Sequence, residues 1–138
     1  MTPNKAIEIV DRLKPNSYSE EDKLRWINEL DGMVKRLVFQ WTTDKYKADM
    51  EEQYKNKKIT EKEYKEFLDK LEDYAYPDDM DKELIIPSPF DDCYTLFLEA
   101  KMDYYNREYA HYNNTAMMFE AQYSEFKKAY IRDHQVKE

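Results

Sequence analysis

Apolar residues recur along most of this chain at spacings of three and four, the period of a helix with one buried face. Ala6, Ile7, Val10 and Leu13 form the first such stripe. Thr2 is placed to cap it, and Pro3 takes the first helical position, where a missing N–H costs nothing. Pro15 stops it. Ser19 with Asp22 three residues on resembles a capping box, with Asp in place of the usual Glu. A second helix is predicted over 20–41, because Ile27, Leu30, Val34, Leu37 and Trp41 keep the same spacing. Gly32 lies inside it at a cost of up to ~1 kcal/mol relative to alanine. Close packing by a neighbouring helix is the expected reason.

The pattern then thins. Over residues 42–83 the chain holds 14 acidic and 9 basic side chains. Tyr46, Met50 and Tyr54 lie four apart, Lys55-Asn56-Lys57-Lys58 has turn character, and Thr60 with Glu63 makes a second capping box. Tyr64, Phe67, Leu68 and Leu71 continue to about Asp73. This predicts a charged helical hairpin with a narrow apolar seam, inserted in the middle of the chain over 41–83. It has too little apolar surface for a central element and is expected to project.

Tyr76-Pro77-Asp78-Asp79-Met80-Asp81 is predicted as loop, and Leu84-Ile85-Ile86 as a short extended run before Pro87 and Pro89. Residues 91–105 follow as the most buried helix. Its polar residues Thr95, Glu99 and Asp103 form one stripe, while Cys93, Leu96, Phe97, Leu98, Ala100 and Tyr104 are apolar nearly all round. The last helix has the clearest pattern: Tyr109, Tyr112, Ala116, Phe119, Tyr123, Phe126 and Tyr130 alternate spacings of three and four. That is a three-heptad seam over roughly 30 Å. The turn before it is placed at Asn106-Arg107, since Asn tolerates the left-handed conformation; one helix running through Asn106 is the alternative. Internal core is the default reading of this seam. A contact between subunits is the other, because tyrosine and methionine (here Met117 and Met118) are enriched at interfaces. The fold class is therefore all-α, a small bundle of about five helices forming a single domain over 1–138.

Composition agrees. Gly32 is the only glycine, and hairpin turns and bulges need glycine, which argues against a β architecture. Aromatic residues make up 15%, with 13 tyrosines, far from a disordered composition. A lone cysteine, Cys93, has no internal partner and points to a reducing compartment. The polar run after Met1 is unlike a signal peptide, and no apolar run approaches the ~20 residues of a membrane span. A cytoplasmic protein is expected. The net charge of −8 would repel nucleic acid and anionic membrane surfaces, so neither is expected as a direct partner.

No constellation specifies an enzyme. The two histidines, His111 and His134, lack a partner at ligand spacing. Asp78, Asp79, Asp81 and Glu83 are all hard-cation ligands in type, but lack the glycine and alternation of a calcium loop. Asp91-Asp92 and Glu20-Glu21-Asp22 fit first helical turns, where acids meet the positive end of the dipole. Cys93 has no basic neighbour and reads as a core thiol. One glycine leaves no room for a nucleophile elbow, P-loop or dinucleotide fingerprint. No catalytic, cofactor or metal site and no small-molecule substrate is expected.

Two stretches resemble a known family. One runs from Thr2-Pro3-Asn4-Lys5-Ala6-Ile7-Glu8 through Tyr18-Ser19-Glu20-Glu21-Asp22-Lys23-Leu24-Arg25-Trp26 to Gly32. The other runs from Leu84-Ile85-Ile86-Pro87-Ser88-Pro89-Phe90-Asp91-Asp92 through Asn106-Arg107-Glu108-Tyr109 to Tyr112-Asn113-Asn114-Thr115 and Phe119. Both resemble small head–tail connector (adaptor, head-completion) proteins of tailed phages and prophages of gut Firmicutes. Where that family often has glycine after the turn asparagine, this chain has Arg107. The resemblance implies a non-enzymatic virion part that self-associates into a ring and binds portal or tail proteins. It would be made in the host cytoplasm and end in the virion. A cytoplasmic adaptor or regulator bundling with one partner protein is the alternative.

Overall fold

A computed structural model describes residues 1–134. The fold is all-helical, with six α-helices among the described residues and no strand. They are α1 (Pro3–Leu13), α2 (Glu20–Met33), α3 (Asp44–Lys55), α4 (Glu61–Leu71), α5 (Asp92–Tyr105) and α6 (Tyr109–Asp133). The chain divides into two compact units: Met1–Asp31 with Tyr74–Glu138, and Gly32–Asp73.

In the larger unit the helix starts follow the local chemistry. Thr2 Oγ1 accepts the Lys5 N–H, and Ser19 Oγ accepts that of Asp22, each answering a donor the first turn leaves unpaired. α1 buries Pro3, Ala6, Ile7 and Val10, but Leu13 is 65% exposed. That corrects the four-residue stripe, since α1 ends at Leu13. Leu24, Trp26, Ile27 and Leu30 of α2 are buried. Residues 84–86 form no strand; they pass through the core as single chain, with Leu84 and Ile86 buried and the Leu84 N–H donated to Met1 O.

α5 is the central helix, and α6 packs along it. Cys93, Tyr94, Leu98, Ala100 and Met102 are buried, and so are Thr95 and Asp103 of the polar stripe, while Tyr104 is 51% exposed. Tyr104, read as part of the apolar surround, thus faces outward, and Asp103 faces inward towards Lys14 and Thr115. On α6, Phe119, Tyr123 and Phe126 are buried and the seam's first residue, Tyr109, is exposed. Phe97 meets Phe119 at 5.3 Å between ring centres, and Phe119 stacks on Tyr123 at 5.4 Å, within the range that favours aromatic pairs. The turn falls at Asn106-Arg107. Arg107, rather than the asparagine, takes the left-handed conformation (φ 60), so the two helices are not continuous.

In the smaller unit the helical path does not reach Trp41. α2 ends at Met33 and passes into a π-helical turn, Val34–Val38, closed by Phe39 N–H to Val34 O. The wider turn breaks the three-four register, so Val34 is buried while Leu37 is 59% exposed. Gly32 has no atom within 4 Å of the position a Cβ would take, so close packing does not explain it. α3 is capped by Thr43 and α4 by the reciprocal Thr60–Glu63 box. Tyr54 stacks on Tyr64 at 4.8 Å, and Phe67 lies against Tyr46 and Trp41. Phe67 is the one buried residue of α3 and α4. Counted over Gly32–Asp73, ten acidic side chains balance ten basic ones. The whole excess of eight carboxylates falls on the larger unit.

Two substitutions check this packing. Phe119→Ala should cost roughly 3–5 kcal/mol of unfolding free energy in denaturant titration. Gly32→Ala should raise stability by up to ~1 kcal/mol, because it adds helix propensity and meets no obstacle. A destabilised Gly32→Ala would contradict the open surroundings of that position.

Candidate functional site

The positions flagged in the sequence do not come together. His111 is exposed, and His134 stacks on Tyr130 with its Nδ1 2.9 Å from Tyr130 O. In the loop, Asp79 accepts the Ala75 N–H at 2.6 Å and pairs with Lys82, while Asp81 accepts the Asn4 amide at 2.7 Å. The Ala75 N–H holds the Asp79 carboxyl below its ordinary range. Among the described residues no group of three or more His, Cys, Asp or Glu is placed to hold a metal ion. Cys93 is fully buried, and burial pushes its thiol up to about 12.

The polar chemistry inside the larger unit was not singled out from sequence. Asp31 is fully buried. Its Oδ2 accepts the Tyr74 hydroxyl at 2.7 Å and its Oδ1 the Tyr94 hydroxyl at 2.6 Å. The Tyr94 oxygen in turn accepts the Ile86 N–H at 2.8 Å. Burial, then the adjacent Asp31 charge, keeps Tyr94 protonated far above its ordinary range. Asn28 fixes the incoming chain, accepting the Tyr74 N–H and donating to Tyr74 O. One signal was present: Asp31 lies four after Ile27 and three before Val34, on the apolar face.

A second buried carboxylate, Asp103, faces Lys14 Nζ at 2.6 Å and accepts the Thr115 hydroxyl at 2.8 Å. Lys14 also reaches Glu108 at 2.7 Å. These bonds hold the end of α1 against α5 and the start of α6. They raise the Lys14 ammonium above its ordinary value, the Asp103 bond most. Burial and Asp103 likewise raise Glu99. Nearby, Trp26 is nearly inaccessible between Tyr18, edge-on at 5.3 Å, and Tyr105, stacked at 5.7 Å.

In these arrangements the buried carboxylates are met by tyrosine and threonine hydroxyls and by the Lys14 ammonium, which suits a scaffold. Part of the remaining surface is free of charge and mostly apolar. On the side of α6 turned away from α5, Ala110, Asn114, Met117, Met118 and Ala121 are exposed and uncharged. Met117 and Met118 are 72% and 60% exposed. At the α5–α6 corner Tyr104, Tyr105 and Tyr109 are each more than half exposed. Of the seam residues and methionines weighed for subunit contact, Phe119, Tyr123 and Phe126 are internal, and Met117, Met118 and Tyr109 are exposed. No family model, curated protein or solved structure matches this chain.

Tyr94→Phe would leave the Ile86 N–H and one Asp31 oxygen short of a partner. Each such group costs roughly 1–3 kcal/mol, so unfolding free energy should fall by about 3 kcal/mol. Tyr123 is the control. Its buried hydroxyl has no partner among the described residues, so Tyr123→Phe should be neutral or stabilising. The thiol gives a pH test. The unfolded Cys93 ionises near its ordinary 9.0, whereas the buried thiol keeps its proton to about 12. This contribution is complete below pH 9 and is lost as pH rises towards 12. Thiol reagents should label Cys93 only on unfolding, and Cys93→Ala should flatten that alkaline decline.

Proposed function

We propose that this chain is a non-enzymatic structural subunit of the tailed-phage head–tail connector type, which self-associates and joins a ring below the portal. The observation that carries the reading is the exposed apolar surface on the outer side of α6 and at the α5–α6 corner. In a chain with 38% charged residues, the outer face of α6 holds five neighbouring exposed positions without charge, two of them methionines. Methionine and tyrosine on a rigid helix give large contact area with little backbone ordering on binding. The resemblance of residues 2–32 and 84–119 to connector proteins supports the same reading and supplies the partner class.

A connector subunit needs unlike surfaces, one for the next copy and one for the ring above. Such heterologous contacts close when the rotation between copies does. A single small contact is weak alone and gains strength when a template holds many copies together. Purified alone, the protein should run as monomer or low-order oligomer. With the portal protein of the same genome it should co-elute as a ring-sized complex. Met117→Glu with Met118→Glu should abolish co-elution while leaving the thermal transition in place. If the protein never co-elutes with portal, and virions lacking its gene still join heads to tails, the connector reading fails. The cytoplasmic adaptor reading would then stand.

A further inference from the structure

We infer that the α5–α6 corner docks a second copy of this chain, with Arg107 of one copy pairing with Asp78 of the other. Within the larger unit, the described lysines and arginines are nearly all engaged. Lys5 and Arg12 pair with Glu8, Lys14 with Asp103 and Lys23 with Asp11. Arg25 pairs with Asp22, Lys82 with Asp79, Lys101 with Glu29 and Lys128 with Glu125. Arg132 pairs with Asp133, and Lys127 lies 4.9 Å above the Tyr123 ring. Arg107 alone among them has neither a carboxylate nor a ring partner. That is unexpected in a unit with twenty acidic and twelve basic side chains.

The surroundings of Arg107 define what it would bind. Tyr104, Tyr105 and Tyr109 stand exposed within three positions of it, and the neighbouring Glu108 is already held by Lys14. The corner thus offers one uncompensated guanidinium among apolar rings. Arg and Tyr are the residue types that dominate binding hot spots. Its complement is a carboxylate presented beside apolar, rigid chain. This protein carries such a segment. Tyr76, Pro77 and Asp78 form an exposed tip. The neighbours of Asp78 are satisfied, Asp79 by Ala75 and Lys82 and Asp81 by Asn4, while Asp78 itself has no donor among the described residues. Pro77 gives a flat apolar face at little ordering cost. The uncompensated cation of one surface and the uncompensated anion of the other are the charge complementarity that selects a second copy.

This contact rests on the self-association part of the function proposed above, and its test separates the two. Sedimentation equilibrium of the full chain over a wide concentration range is measured for wild type, Arg107→Glu, Asp78→Arg and the double exchange. Both substitutions lie on exposed side chains, and circular dichroism melts check that the fold is kept. Wild type should associate with rising concentration. Each single reversal sets like charges together and should weaken association roughly tenfold or more, and the double exchange should restore it. Single variants that associate as wild type overturn the contact and leave the connector reading intact. A wild type that is monomeric at every concentration, but loses portal binding on Arg107→Glu, assigns the corner to portal and also overturns it. Rescue by the double exchange without any binding to portal upholds the contact and removes the connector reading.

Discussion

The larger unit is organised around one buried carboxylate. An ionised Asp in a protein interior is tolerated only when its oxygens are fully engaged, since the loss of water costs several kcal/mol otherwise. Asp31 obtains its donors from places far apart in sequence: Tyr74 where the chain returns after α4, and Tyr94 in the first turn of α5. Through the Tyr94 oxygen the requirement extends to the Ile86 N–H. That peptide group lies in a stretch with no helix or strand to satisfy it, so the tyrosine substitutes for a ladder. The position of 84–86, the return of the chain and the rotation of α5 about its axis are therefore set by one acceptor. Apolar burial alone would accept several rotations of α5, and the carboxylate accepts one.

Asp103 imposes the same constraint at the other end of α5. With Lys14 and Thr115 as partners it joins the last residues of α1 to α5 and to the second turn of α6. This explains why α6 turns back along α5 directly after Asn106. The path requires a residue at positive φ, and Arg107 supplies it at a cost of order 1 kcal/mol that glycine would avoid. The aromatic seam then fills the space the two helices enclose.

Much of this was legible in the sequence because the signals are local. Caps at Thr2, Ser19 and Thr60, the stop at Pro15 and the seam through Phe119, Tyr123 and Phe126 depend on neighbours within one or two turns. What was not legible depends on partners distant in the chain. The stripe Thr95, Glu99 and Asp103 has the spacing of a solvent face, and only the arrival of Lys14 and Thr115 turns its last member inward. Asp31 lay on an apolar face, but nothing nearby indicated the tyrosines that would meet it. The π-helical turn at Val34–Val38 defeats a fixed period altogether, so Leu37 and Trp41 were placed on a face that the backbone does not maintain. The apolar surface was partly readable. Met117 and Met118 stood out as interface types, but the exposure of Tyr104, Tyr105 and Tyr109 follows from where α5 ends.

The charge distribution bears on the proposed self-association. The unit Gly32–Asp73 is neutral, with charges of both signs interleaved, so it neither attracts nor repels a second copy at long range. The other unit carries the entire excess of eight carboxylates, and two such units repel one another until salt screens them over about 10 Å. Association between copies therefore cannot rest on general attraction. It requires local contacts where apolar area and a matched charge outweigh the background, and such contacts are selective because most other approaches remain repulsive. On the proposed contact, only the orientation that sets Arg107 of one copy against Asp78 of the other offsets that repulsion.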